Sequence, residues 1–309
     1  MKSLALILVI AHFFSGALSA VQSQLLGAFN IFDTGTSITD FVRSLNILVG
    51  PLRNPAYPDL KLDAKSAIIL DQDSGKVLFS ENPDGKLPIA SITKIMTALV
   101  MLDKYQDDLD TPIKVPAAAT EVTGSKMKLQ VGETITVHNL LRGLLIQSAN
   151  DAAMTFALEI ADTPDSFVRM MNVKAEGIGL SDTHFTNPTG LDETGHHSTA
   201  RDIANLTRFA LNNPVFAEIV AVDKLTVKDT TGKVSHSLDN TNLLIGRYRN
   251  VIGVKTGTTE EAGESLVASV EGDSGQKVIA VLLDSPNRFQ EGKKALDWAL
   301  KAYSWIEAL

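Results

Sequence analysis

Ser91 and Lys94 stand three residues apart in the run Pro88-Ile89-Ala90-Ser91-Ile92-Thr93-Lys94. At the start of a helix that spacing nearly completes one turn, so the hydroxyl and the amine share a face and can touch. A serine hydroxyl is a poor nucleophile near neutral pH until a base takes its proton. A lysine is such a base only where its surroundings keep it uncharged. Ile92, Ile95, Met96, Leu99 and Leu102 recur at helical spacing behind Pro88, which predicts a buried helix with a partly desolvated lysine near its start. Ser91 is the candidate nucleophile and Lys94 its candidate base.

Two further motifs follow: Ser148-Ala149-Asn150, expected in a loop between helices, and Lys255-Thr256-Gly257, expected at a strand end. Alone, each is an ordinary use of Ser, Asn and Gly in turns. Together with Ser91 and Lys94 they supply the groups that acyl transfer needs. Ser148 can pass a proton between Lys94 and a leaving amine, which makes it the third catalytic candidate, and Asn150 can hold a peptide carbonyl. The Lys255 ammonium and Thr256 hydroxyl suit a carboxylate, and Gly257 lets a ligand backbone approach the strand. A second cation would also help keep Lys94 neutral, because like charges disfavour protonation. The backbone amides of Ser91 and Thr258 are the expected oxyanion hole.

The elements that position these groups can be read in order. Ala67–Asp71 and Lys76–Ser80, joined by Gln72-Asp73-Ser74-Gly75, read as a hairpin. The Ser91 helix is expected to run to Lys104, followed by helices over Val137–Ile146, Ala152–Ala161 and Ser166–Glu176. A turn-rich stretch from Asp182 to His197 precedes a helix capped by Thr199-Ala200-Arg201-Asp202 and ending near Leu211. Strands are expected over Lys224–Lys228, Val251–Lys255, Ser265–Val270 and Lys277–Leu283, then a last helix over Arg288–Trp305. Short turns such as Gly272-Asp273-Ser274-Gly275 between the late strands argue for an antiparallel sheet.

With 309 residues, 44% hydrophobic and 21% charged, the chain can bury a full core. The formal charge of −8 argues against a nucleic-acid partner and against a generally cationic membrane-binding surface. The absence of cysteine rules out disulfides and thiolate catalysis, and the six histidines show no metal-binding spacing, so no metal is expected. Met1-Lys2, the apolar run Leu4–Phe14 and the small residues Ser15–Ala20 read as an export signal over residues 1–20, with an uncleaved anchor as the alternative. Residues 21–60 read as an extension holding an amphipathic helix around Ile38–Val49 and a linker with Pro51, Pro55 and Pro58. Residues 61–309 are expected to form the catalytic domain.

The three motifs, in this order, are similar to those of the penicillin-recognising acyl-serine enzymes. Gly124-Ser125-Lys126-Met127, Gly143–Ala153, Phe185–Leu191 and His197–Asp202 extend the likeness, and from about Lys65 to Trp305 the chain resembles the D-alanyl-D-alanine carboxypeptidases, the low-molecular-mass penicillin-binding proteins. The resemblance implies an α/β (α+β) fold of the β-lactamase/transpeptidase-like kind, a five-stranded antiparallel sheet flanked by helices with a helical subdomain. It implies an acyl-enzyme on Ser91, peptidoglycan stem peptides as substrates, β-lactam antibiotics as covalent inhibitors, no cofactor, and an exported, periplasmic or other extracytoplasmic location, with membrane association left open. A D,D-endopeptidase, a class A-like β-lactamase using Glu193 and a non-catalytic cell-wall-binding protein are the alternative readings.

Overall fold

The computed structural model describes residues 50–161 and 163–305. The expected export signal and the Ile38–Val49 helix lie outside the described residues. Arg53–Ser304 form one compact unit, which carries every element below.

The hairpin forms as β1, Ser66–Asp71, and β2, Val77–Glu81. A 3-10 turn over Ala90–Thr93 then leads into helix α1, Lys94–Tyr105. A ribbon of β3, Pro112–Lys114, and β4, Thr134–Thr136, brackets the single turn of α2, Ala117–Thr120. The helical insert continues with α3, Val137–Leu145, α4, Asn150–Ile160, α5, Pro164–Gly177, α6, Ala200–Leu211, and α7, Pro214–Val220. A second ribbon pairs β5, Lys224–Lys228, with β6, Ser235–Asp239. The chain returns to the main sheet as β7, Val251–Thr259, β8, Gly263–Glu271, and β9, Lys277–Leu283, and ends in α8, Arg288–Ala302.

The main sheet is antiparallel with strand order β2-β1-β9-β8-β7. First and last strands therefore meet in its middle, Ile69 facing Ala280, and each carries an unbroken apolar run, Ala67–Leu70 and Val278–Leu283, because helices cover both faces. Helix α8 packs on β8 and β9, while α6 packs on β1 and β9. Helix α1 is the core of the helical layer: every residue from Lys94 to Leu102 is buried, and Lys94 is the one charged member of that run.

Two expectations about elements change. Strand β7 runs on to Thr259 and lies at the sheet edge, so Lys255-Thr256-Gly257-Thr258 sits inside a strand rather than ending one. The last helix stops at Ala302, because Tyr303 turns extended, lays its ring edge-on to Trp298 at 5.7 Å and donates its hydroxyl to Leu78 O at 2.6 Å.

Gly190 holds the long loop between α5 and α6 against the 3-10 turn. Its φ is +81°, and a Cβ there would fall 1.9 Å from Ala90 O. Gly190→Ala should therefore cost about 3 kcal/mol or more through combined strain and overpacking. Urea unfolding of the purified variant checks this; a parent-like midpoint would contradict the packing described.

Candidate active site

The turn that carries Ser91 is tighter than the α-helix assumed from sequence. In a 3-10 turn residues i and i+3 eclipse one another, and Lys94 Nζ lies 2.8 Å from Ser91 Oγ. The residue before the serine, Ala90, is left-handed with φ 47°, an unfavourable conformation for a residue with a Cβ, imposed by the packing around it. Lys94 is fully buried, and its Nζ also reaches Thr189 O at 2.6 Å. Burial holds this amine well below the usual lysine range, and the nearby Lys255 charge lowers it further, against a smaller opposing effect of Asp151. As a neutral amine, Lys94 can give a hydrogen to Thr189 O and present its lone pair to the Ser91 hydroxyl.

Ser148 reaches the same region on the residue pair before α4, in a left-handed conformation with φ 61°. Its hydroxyl is hydrogen-bonded to Lys255 Nζ at 2.9 Å rather than to Lys94. Lys255 also donates to Thr256 O at 2.9 Å and is 1% exposed. Burial, then the Arg288 charge, bring it down to about 7. Its amine is thus divided between charged and neutral forms near neutral pH, whereas the sequence suggested a plain ammonium.

Asn150 takes a different part from the one expected. Its Nδ2 donates to Thr123 O at 2.7 Å and its backbone N–H to Ser125 O at 2.7 Å, so it clamps the Thr123–Ser125 segment. One amide hydrogen remains for a ligand carbonyl, while Oδ1 is buried with no partner among the described residues. The neighbouring Asp151, not singled out from sequence, extends the clamp by accepting from Met127 N at 3.1 Å and Leu129 N at 3.0 Å.

Strand β7 approaches from the other side. A Cβ on Gly257 would lie 2.8 Å from Ile89 O and 3.3 Å from Ser91 N, so the glycine is needed for contact with the turn that carries Ser91, where the sequence suggested contact with a ligand. The same approach sets the stretch around Thr258 beside the Ser91 amide. Thr256 donates its hydroxyl to Thr241 Oγ at 2.7 Å. Arg288, at the start of α8, donates to Gly257 O at 2.9 Å and to Thr258 Oγ. Thr241 and Arg288 carry no motif that sequence reading could have used. Arg288, Lys255 and Lys94 form a graded series in which each cation lowers the next. Such a series suits an anionic ligand beside a neutral base.

Glu193, the acid in the β-lactamase alternative, accepts from Thr186 Oγ and Asn187 Nδ2, both at 2.9 Å, and these bonds hold its carboxyl below the usual range. It braces its own loop. Asn187 Oδ1 does the same from inside, accepting from Thr189 N at 3.1 Å and Gly190 N at 2.7 Å.

The family model described as D-alanyl-D-alanine carboxypeptidase matches residues 53–287. The D-alanyl-D-alanine carboxypeptidase DacF of Bacillus subtilis is 37% identical over 251 residues, 79% of this chain and 64% of the relative. DacC of Escherichia coli is 36% identical, with 63% of its length covered, so this chain spans less than two thirds of both relatives. A D-alanyl-D-alanine endopeptidase of Pseudomonas aeruginosa is 37% identical over 67% of each chain. Among solved structures, the Streptomyces K15 DD-transpeptidase superposes with a TM-score of 0.75 at 29% identity, covering 79% of this chain and 99% of that one.

The depressed Lys94 sets a direction for pH dependence. Below its folded-state pKa the amine is protonated and cannot accept the Ser91 proton, so acylation of Ser91 by a small reactive acyl donor should fall as pH is lowered through that value. Lys255→Gln removes a like charge, lets Lys94 hold its proton to higher pH, and should move this acid limb upward. A limb that stays put, or moves down, in the pH–rate profile would show that Lys255 does not act on Lys94.

Proposed function

The chain belongs to the D-alanyl-D-alanine carboxypeptidase family, and on that premise we propose that it is a serine-type D-Ala-D-Ala carboxypeptidase acting on peptidoglycan stem peptides. The observation that carries this reading is the buried Lys94 amine 2.8 Å from Ser91 Oγ, a nucleophile with its base in place. Ser91 attacks the carbonyl of the penultimate D-alanine as Lys94 takes its proton. The oxyanion formed is received by the amides of Ser91 and Thr258. The C–N bond then breaks, the departing D-alanine amine takes a proton through Lys94 and Ser148, and water hydrolyses the serine ester to return free enzyme and shortened peptide.

Lys255, Thr256 and Thr258, with Arg288 behind them, receive the terminal carboxylate, and the remaining Asn150 amide hydrogen holds the carbonyl on the acyl side. β-Lactams, with a reactive carbonyl and a nearby carboxylate, should acylate the same serine. The apolar run and small residues within positions 1–20 of the sequence support a reading in which the enzyme is exported and meets its substrate in the periplasm or elsewhere outside the cytoplasm. Among the described residues no helix is long and apolar enough to cross a membrane.

The endopeptidase relative favours a second reading, cleavage of cross-links, at the same site. Digestion of purified muropeptides followed by mass analysis separates the two. Loss of one alanine from pentapeptide stems supports the carboxypeptidase, and conversion of dimers to monomers supports the endopeptidase.

Labelling with a fluorescent penicillin tests the nucleophile. Ser91→Ala should abolish labelling, Lys94→Ala should slow it by about 10³-fold or more, and Lys255→Ala should chiefly weaken recognition of the carboxylate. Equal labelling of Lys94→Ala and the parent would refute the assigned base.

A further inference from the structure

Between α5 and α6 the chain leaves regular structure and lies against the turn that carries Ser91. Three hydrogen bonds cross from this loop to Thr93, Lys94 and Thr97. Thr189 O accepts from Lys94 Nζ at 2.6 Å, Pro188 O accepts from Thr97 Oγ at 2.7 Å, and His196 Nε2 meets Thr93 Oγ at 2.7 Å. The first two use backbone carbonyls of the loop. The third depends on one side chain.

His196 is 6% exposed, with the Phe185 ring edge-on at 5.8 Å. Its Nδ1 faces the Thr186 backbone N–H at 3.1 Å, a donor that only a bare ring nitrogen can answer. Burial pushes the imidazole down to about 4 against the pull of Glu193, so the ring is neutral at ordinary pH. A neutral ring that accepts at Nδ1 carries its hydrogen on Nε2. The bond to Thr93 therefore runs from His196 Nε2–H to the threonine oxygen. Thr93 itself is wholly buried and lies between Ser91 and Lys94 in the 3-10 turn.

We propose that His196 is a positioning residue for the Ser91–Lys94 pair: through Nε2–H it pins the Thr93 hydroxyl and so fixes the 3-10 turn that sets the serine hydroxyl against the lysine amine. It acts through Thr93 and touches no reacting atom. The inference rests on the reading of Ser91 as the acylated nucleophile.

Three variants separate this role from a general part in folding the loop. His196→Asn can keep an acceptor near the Nδ1 position for Thr186 but falls short of Thr93. His196→Gln can place an amide N–H where Nε2 stood. Thr93→Val removes the acceptor at nearly constant shape. The measurements are the rate constant of Ser91 acylation by a fluorescent penicillin, the constant for the preceding reversible complex, and the Tm of each protein.

His196→Asn and Thr93→Val should each slow acylation about tenfold, as expected for a small misplacement of reacting groups, with the reversible constant nearly unchanged. His196→Gln should stay within about threefold of the parent, and the double variant His196→Asn/Thr93→Val should be no slower than either single one, because both remove one shared bond. A folded His196→Asn protein acylated at the parent rate overturns the proposal, as do equal losses in the Asn and Gln variants or additive losses in the double variant. If one single variant fails to fold, the other decides. A parent protein that takes no label at Ser91 refutes the reading of the nucleophile, and the inference with it; labelling of the parent with unaffected variants refutes the inference alone.

Discussion

The Lys94 amine is fully buried between two neutral oxygens, Ser91 Oγ and Thr189 O. A charged ammonium there would have lost its water and gained only two uncharged acceptors, so burial favours the neutral form, and the Lys255 charge adds to the preference. The rest of the structure is arranged to sustain that condition. Helix α1 carries Lys94 into the middle of the helical layer, where its neighbours through Leu102 are all buried. The loop between α5 and α6 closes over it and supplies a carbonyl, Thr189 O, that accepts from the uncharged amine.

Closing that space requires backbone to approach backbone from two directions. Gly190 comes against Ala90 O from the loop side, and Gly257 comes against Ile89 O and Ser91 N from the edge strand. Side chains at either position would push the two walls apart. Between them the chain is held in conformations that it would not adopt freely: Ala90 and Ser148 are left-handed, and Asn150 Oδ1 is buried with no partner among the described residues. Strained residues of this kind cost about 1–3 kcal/mol each, and an unpaired buried acceptor costs about as much. The apolar sheet and helices around the site offset that cost.

The main elements were legible in the sequence because their patterns were local. Lys224–Lys228 and Lys277–Leu283 alternate or run apolar between clear turns and form with those bounds, and Thr199 caps α6 by accepting from Asp202 N as its sequence signature predicts. Helix α7 was missed although Asn213-Pro214 is a start signal, with Asn213 Oδ1 accepting from Val215 N and Phe216 N; seven residues are too few for periodicity to register. The β3–β4 ribbon is built from strands of three residues, too brief to stand out, and β6 beside the correctly read β5 is rich in polar residues. At the site, Ser91, Lys94, Ser148, Asn150 and Lys255 were visible as motifs. The Ser91–Lys94 contact followed from their spacing, but the partners of the others did not, since Ser148 bonds Lys255 and Asn150 first serves Thr123. Arg288, Thr241, Asp151 and His196 act through contacts with residues far along the chain, and single-residue identity carries no trace of them.

Lys255 near 7 connects the carboxylate end of the site to the base. Only partly charged around neutral pH, it exerts only part of its effect on Lys94 in the free protein. A carboxylate placed beside Lys255 favours its charged form, and a fully charged Lys255 in turn favours the neutral form of Lys94. On the proposed reading, a ligand with a terminal carboxylate would thus sharpen the base that activates Ser91 against it, while a ligand lacking that group would meet a less prepared Lys94. The coupling needs no movement of the backbone. It follows from two buried amines close enough to interact, with Ser148 bonded to one and Ser91 to the other.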